Sequence, residues 1–389
     1  MRILAALRVG AFRADIWAGM NIDELLRHTV ERGASDLHLK VGNVPFLRVD
    51  GDLLPTSYPA LTPQDTSTFG ATVMSEHKRA EFEAHSEADI GYTLQGVGRF
   101  RINVFRQRGL VGLAVRRVRS EIPTFEELRL PEVMRALADS PRGLVLVTGP
   151  TGTGKTTTIA SMIGYINRAR RAHIVTIEDP IEVMHDDELS IIQQREVGLD
   201  TDSYAAALKS VVRQDPDVIF VGEIRDADSA LSAIQAAETG HLVISTLHTI
   251  DCMETINRVL DLFPPQQAKE VRTSFAGALR GIVSQRLVTK ADGKGRVAAV
   301  EVLVNTGRVF DRIVDPDQTD SIVDVISDGG YYGMQSFDQA LVALVKDGQV
   351  TTDEARRTAT SPHDFDLQLS GVLERSSAFD DEQRAGLPF

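Results

Sequence analysis

Apolar and polar positions change rhythm three times along the chain. In NIDELLRHTVERG, Leu25, Leu26 and Val30 form one helical stripe, with Asn21 as cap, Glu24 at the box position and Gly33 ending the helix. From Ser35 to about Val118 the pattern is strand-like. SDLHLKV, FLRVDG, IGYTL, RFRINVF and LVGLAVRRV alternate or run apolar between Gly, Pro and Asn turns, and one helix interrupts them over Pro63–Ala84. This predicts a small α+β domain. Pro123 breaks the pattern, and Thr124 with Glu127 forms a second capping box. Beyond Pro141 short apolar strands alternate with helices: GLVLVTG, a helix through Arg170, HIVTIE, a helix near Ser203–Arg213, DVIFVG, a helix near Ser229–Glu238, then LVISTLH. That alternation predicts a parallel sheet covered on both faces. Residues 252–360 read as mostly helical, with a short strand pair near Val297–Leu303.

The expected organisation is an irregular extension over 1–19, an α+β domain over 20–120, a linker and helix over 121–140, an α/β domain over 141–360, and an acidic disordered tail over 361–389. The tail carries Asp364, Asp366, Glu374, Asp380, Asp381 and Glu382 against Arg375 and Arg384.

Composition adds limits rather than a function. A chain of 389 residues suits two domains. A net charge of −13 argues against a nucleic-acid partner, since phosphates call for clustered Lys and Arg. One cysteine, Cys252, allows no internal disulfide and no Cys-based zinc site. Arg8, Arg13 and Asp15 interrupt the apolar residues of the N-terminus, and no run approaches the ~20 residues that span a bilayer.

Chemistry enters with GPTGTGKT, which fits G-x-x-x-x-G-K-[ST] over Gly149, Pro150, Thr151, Gly152, Thr153, Gly154, Lys155 and Thr156, with Thr157 following. The strand GLVLV precedes it and a helix follows. Such a loop turns backbone N–H groups and a helix N-terminus toward phosphate oxygens. Lys155 should reach the β and γ phosphates of ATP, and the Thr156 hydroxyl should bind Mg²⁺. In a doubly wound sheet, ligands sit at the carboxyl ends of strands. Glu223 leaves such an end in VVRQDPDVIFVGEIRD, where Gly222 is expected to turn the backbone sharply. Glu178, Asp179 and Glu182 follow HIVTI, and His241 and His248 flank LVISTL.

Taken in order, GPTGTGKT, IEDPIE, RQDPDVIFVGEIRD and AETGHLVISTLHT resemble the Walker A, Asp box, Walker B and His box of secretion ATPases. GASDLHL, GRFRINVF, QREVGLDT and GMQSFDQAL narrow the resemblance to the pilus retraction ATPases of twitching motility, the PilT/PilU-like subfamily, from about Met20 to about residue 360. The resemblance implies a PAS-like N-terminal domain before a RecA-like P-loop core, with ATP between the two. It also implies a homo-hexamer at the cytoplasmic face of the inner membrane. There it meets a platform protein at the pilus base, and its only membrane association is through partners. Hydrolysis would drive pilin removal. The family pattern assigns Glu223 to the magnesium shell, directly or through water, or to the attacking water. It makes Glu178 the first choice for the general base, with Glu223 the alternative, and His248 a γ-phosphate sensor, with His241 a further sensor candidate. Arg99 and Arg101, at alternate positions of one strand, match phosphate-contacting arginines. Arg213 and Arg195 are weaker candidates for phosphate or subunit contacts, and Arg225 and Asp226 read as structural ion pairs.

One stretch departs from the pattern. Retraction motors carry Ala-Ile-Arg-Asn-Leu-Ile-Arg-Glu after an Asn-Thr-Pro turn. This chain has NTGRVFDRIVDPD over Asn305–Asp317, with Phe310 and Val314 at the two arginine positions. That segment is tied to retraction, not to ATP turnover, so an accessory retraction motor is one alternative. A pilus or type II secretion assembly ATPase is another, disfavoured by the short N-terminal region and the missing cysteines. A nucleotide-binding scaffold without turnover is a third, disfavoured by intact Lys155, Glu178, Glu223 and His248.

Overall fold

The computed structural model describes residues 21–49, 51–118 and 122–371. The expected extension over 1–19 and the end of the expected tail lie outside the described residues. The chain divides into two compact units. One runs to Ser120 and includes Glu182–Met184; the other comprises Glu121–Ile181 and the chain from His185 onward.

The first unit opens with helix α1 (Ile22–Glu31), whose Glu24 amide donates to Asn21 Oδ1 at 2.9 Å. Strands β1 (Asp36–Leu39), β2 (Phe46–Val49), β3 (Asp52–Pro55), β4 (Glu87–Leu94), β5 (Gly98–Gln107) and β6 (Leu110–Arg117) form one antiparallel sheet, ordered β3-β2-β1-β6-β5-β4. Alternation on β5 sends Phe100, Ile102 and Val104 into the core, which puts Arg99 and Arg101 on the opposite face. The single helix expected over Pro63–Ala84 is two, α2 (Pro63–Val73) and α3 (Glu76–His85). Ser75 takes extended backbone between them and caps α3 by accepting from the Lys78 amide, which ends one helix and starts the next.

In the second unit, short helices α4 (Phe125–Leu128) and α5 (Val133–Ala138) precede strand β7 (Gly143–Thr148) and helix α6 (Lys155–Ala169). There follow β8 (His173–Glu178), β9 (Ile191–Glu196), α7 (Tyr204–Val211), β10 (Val218–Val221), α8 (Ala227–Glu238), β11 (Leu242–Leu247), α9 (Cys252–Asp261) and α10 (Ala268–Ala278). Strands β12 (Leu279–Thr289) and β13 (Arg296–Val304) complete a seven-stranded sheet, ordered β13-β12-β7-β11-β10-β8-β9. It is parallel except for the β12–β13 hairpin. Every residue of β7, β10 and β11 is buried. Leu144 and Leu146 pack into one apolar cluster with residues of α8, α9 and α10; Val145 and Val147 pack into another with residues of α5 and α6. Alternate residues thus feed the two covered faces, and every strand tip is left at an edge of the sheet.

Two expectations need correction here. Residues 252–360 are mostly helical, as expected, but the strand pair among them is not short: β12 and β13 are long, and β12 lies inside the sheet between β7 and β13. Its Ser284 and Gln285 interrupt the apolar run yet are 0 % and 1 % exposed. The tail does not become disordered at 361. Residues 362–371 are helical, and Phe365 is fully buried against Leu341, Leu344, Val350 and Ala355, beside the helices α13 (Phe337–Lys346) and α14 (Thr352–Thr358).

Candidate nucleotide site

Strand β7 ends at Thr148 and the chain enters the glycine-rich loop. Gly149 has φ +143°, and a Cβ there would stand 2.6 Å from the Gln285 carbonyl oxygen and from Thr153 Oγ1. Gly152 and Gly154 also hold positive φ, 82° and 92°. Thr153 Oγ1 donates to the Pro150 carbonyl at 2.8 Å and closes the turn. Helix α6 then starts at Lys155 with Gly154 as cap, and no side chain caps its first turn. The amides of that turn and the positive end of the helix dipole are therefore left for an anion. Lys155 is buried; its Nζ donates to the Gly149 and Pro150 carbonyls at 2.7 and 3.1 Å and lies 3.5 Å from His248 Nδ1. A triphosphate fits this cradle. Among the described residues no cluster of three or more His, Cys, Asp or Glu could hold a metal by itself.

Strand order ranks the other candidates. Neighbouring strands lie ~4.8 Å apart, so the tips of β11, β10 and β8 stand roughly 5, 10 and 14 Å across the sheet from β7. His248 follows β11, Glu223 follows β10, and Glu178 ends β8. His248 Nε2 lies 3.7 Å from a Glu223 oxygen, so Lys155, His248 and Glu223 form one polar chain across three strand tips. Arg225 pairs with Glu223, and its guanidinium lies 3.9 Å from Asp179. The Glu223 side chain is 17 % exposed, and the Arg225 ion is held charged chiefly by its hydrogen bond to that carboxylate. A cleft of about 480 Å³ opens beside this chain, lined by Glu223, Arg225, His248, Thr249, Glu254 and Arg258.

Glu178 sits apart and is fixed by its own partners. It is 6 % exposed and accepts from Thr176 Oγ1 at 2.7 Å and Gln194 Nε2 at 3.1 Å. Glu196, its register partner on β9, is equally buried and accepts from the Ile181 amide at 3.1 Å. The chain bends at Gly222, as expected, but without a positive φ. It is needed for closeness, because a Cβ there would stand 2.9 Å from Tyr204 Oη and 3.2 Å from the Ile177 carbonyl oxygen. Burial, then the charges of Asp179 and Glu223, push the Tyr204 phenol up, so it stays protonated beneath the acids.

Three further candidates of this unit fall outside this group. His241 lies at the amino end of β11, the far end from the phosphate loop, and its Nδ1 contacts the Ala236 carbonyl oxygen at 2.9 Å, against the end of α8. A parallel strand has only one end at the site, and His241 is at the wrong one. Arg213 likewise precedes the amino end of β10, exposed in the turn after α7, so it makes no phosphate contact at this chain's own loop. Arg195 Nη2 donates to the Asp200 carbonyl at 2.9 Å and holds the turn after β9. Arg99 donates to Thr93 Oγ1 at 3.0 Å, and Arg101 lies 3.9 Å from Asp89, both within the first unit.

Sequence reading missed Gln285. It lines a cavity of about 160 Å³ beside Gly154 and Thr157, with Leu128, Leu130, Leu287 and Val297 as apolar walls. Its Oε1 is buried without a hydrogen-bond partner. A polar residue inside an expected helix gave no signal; only its place on an interior strand does.

The type II/IV secretion system protein family model matches residues 18–360. The chain belongs to that family. It is 42% identical over 346 residues to the type IV pilus retraction ATPase PilT of Pseudomonas aeruginosa, covering 89% of this chain and 100% of that protein. It is 41% identical over 350 residues to the type IV pilus ATPase PilU of the same organism, covering 90% and 91%. A crystal structure of the pilus retraction motor PilT with bound ADP superposes with a TM-score of 0.81 at 44% identity, covering 89% of this chain and 99% of that one. The fold is therefore RecA-like and the chain is an ATP-hydrolysing enzyme of the secretion ATPase class.

Proposed function

We propose that this chain is the subunit of a hexameric motor that hydrolyses ATP to drive type IV pilus retraction. The observation that carries this is full-length similarity to PilT, 42% identity over 100% of that protein, on a chain whose Lys155, His248 and Glu223 share one site. Phosphates would rest on the loop Gly149–Thr156, and the purine base in the cavity beside it, where its amino group meets Gln285 Oε1. Mg²⁺ would sit between the phosphates, the Thr156 hydroxyl and Glu223. Catalysis in such sites is positioning and charge stabilisation. Glu223 would order the metal shell or the water, and His248 would read the γ phosphate. Glu178 is held rigid by Thr176 and Gln194, as suits the general base. Arg99 and Arg101 would supply phosphate contacts. The ring would work at the cytoplasmic face of the inner membrane against a platform protein. No described helix is long and apolar enough to cross a membrane, which fits attachment through partners.

A second reading, an accessory retraction motor, is favoured by one segment. Helix α11 (Gly307–Val314) carries Phe310 and Val314 half-buried against the core at the positions where retraction motors have arginines. A deletion strain scored for twitching and surface piliation tests both. Retraction predicts lost motility with retained or excess pili; bald cells would sink it in favour of assembly. An accessory role predicts that motility falls only under load and returns when the primary motor is overproduced.

A further inference from the structure

Beneath the site runs a row of buried side chains that the proposed chemistry does not use. Thr249, one residue past His248, is 3 % exposed; Thr255, Thr148, Ser284 and Cys252 are 0 %. Thr249 Oγ1 lies 2.6 Å from Thr255 Oγ1, and Thr255 Oγ1 lies 3.3 Å from Thr148 Oγ1. Thr148 Oγ1 lies 2.7 Å from Ser284 Oγ, which lies 3.6 Å from Cys252 Sγ. The Cys252 amide donates to the buried Glu301 carboxylate at 2.7 Å. The row joins the tips of β11 and β7 and the middle of β12 through one helix, α9.

Both ends of its middle section matter. Thr148 is the residue before Gly149, so it anchors the root of the phosphate loop; Thr249 anchors the loop that presents His248. Thr255 is the only bridge between them in this row. A hydroxyl carries one proton and two lone pairs. Thr255 Oγ1 faces two acceptors for its one proton, the Asp251 carbonyl at 2.6 Å and Thr148 Oγ1 at 3.3 Å, so it donates toward those two and receives from Thr249. The direction of the bonds is thereby fixed at this residue. With no water-exposed alternative, each hydroxyl must keep its partner, because an unsatisfied buried one costs about 1–3 kcal/mol. A site that handles a γ phosphate tolerates only about 0.5 Å of drift.

We infer that Thr255 is a positioning residue for ATP hydrolysis: its buried hydroxyl sets the spacing between the phosphate-loop root and the His248 loop. It touches neither nucleotide nor metal, so it should act on turnover and not on affinity. Thr255→Val keeps the shape and removes the hydroxyl, leaving Thr249 without its acceptor. Steady-state MgATP hydrolysis should then fall about 10-fold or more in kcat, with the ATP KM within about threefold of wild type. Thr255→Ser keeps the hydroxyl and should restore kcat to within about threefold of wild type. A purely structural role would lower thermal stability in both variants and leave the kcat of folded protein unchanged. If Thr255→Val does not fold, Ser284→Ala removes the next link and should show the same fall in kcat at unchanged KM. Active wild type with equally active Thr255→Val, or Ser284→Ala in its place, overturns this inference alone. So does Thr255→Ser as impaired as Thr255→Val. A wild type without turnover would overturn the hydrolysis on which it rests.

Discussion

Replacing Glu223 by Gln keeps the volume of the side chain and removes its charge. Its partners are Arg225 and His248, and Arg225 is 59 % exposed, so water screens most of the lost ion pair. The stability change should be about 1 kcal/mol or less. The phosphate loop is untouched, since Lys155 bonds to Gly149 and Pro150 and not to Glu223. ATP binding should therefore survive. Turnover should not, because a neutral amide takes no proton from the water and balances none of the metal's charge. Loss of an acid in that role costs about 10²–10⁴-fold in kcat, which is about 3–5.5 kcal/mol of barrier. Glu178→Gln should lose turnover as well, but with a larger fall in stability. Its carboxylate is 6 % exposed and accepts from Thr176 and Gln194, so uncharging it weakens two buried bonds, worth about 1–3 kcal/mol together. Phosphate release with MgATP, alongside binding of a fluorescent nucleotide, separates the two effects. Near-normal turnover in Glu223→Gln with intact binding would refute its assignment. A nucleotide affinity lost in step with turnover would refute the separation of binding from chemistry.

Two further outcomes are expected. Gln285→Leu, which removes the orphan acceptor but keeps the apolar cavity, should raise the ATP KM several-fold at constant kcat; an unchanged KM would take the base out of that cavity. His185 has its pKa lowered from 6.5 to about 4 by burial, with Nδ1 left without a partner. The unfolded chain takes up that proton first, so its contribution is full above pH 6.5 and is lost as pH falls toward 4. Between pH 7 and 5 this amounts to about 2 kcal/mol. Urea midpoints at both pH values should fall more steeply for wild type than for His185→Gln, and parallel curves would contradict the burial argument.

The sequence made the phosphate loop and its strand legible because the physics there is local. Gly149, Gly152 and Gly154 are required by their own backbone angles, and the apolar run of β7 needs no partner to identify it. The acid at the tip of β10 was legible for the same reason. What could not be read is whatever depends on which strand lies beside which. His241 and His248 flank one strand and look equivalent in sequence, yet chain direction puts only His248 at the site. Gly222 reads as a turn residue and the chain does bend there, but the space it yields belongs to Tyr204, eighteen residues upstream.

Strand β12 shows the limit most clearly. Alternation of polar and apolar residues marks a half-buried strand, and an unbroken apolar run marks a buried one. LRGIVSQRLVT is neither, because two of its polar side chains are buried for a purpose: Ser284 completes the hydroxyl row under the loop, and Gln285 faces the cavity beside it. Buried polar groups cost free energy unless they are paired, and Ser284 is retained where neighbouring elements present matching partners. Those partners, Thr148 and Cys252, come from 136 and 32 residues away in the chain. The same feature that hid β12 from the pattern of the sequence therefore ties it to the site. An interior strand whose polar residues look misplaced is where the supports of a nucleotide loop should be sought.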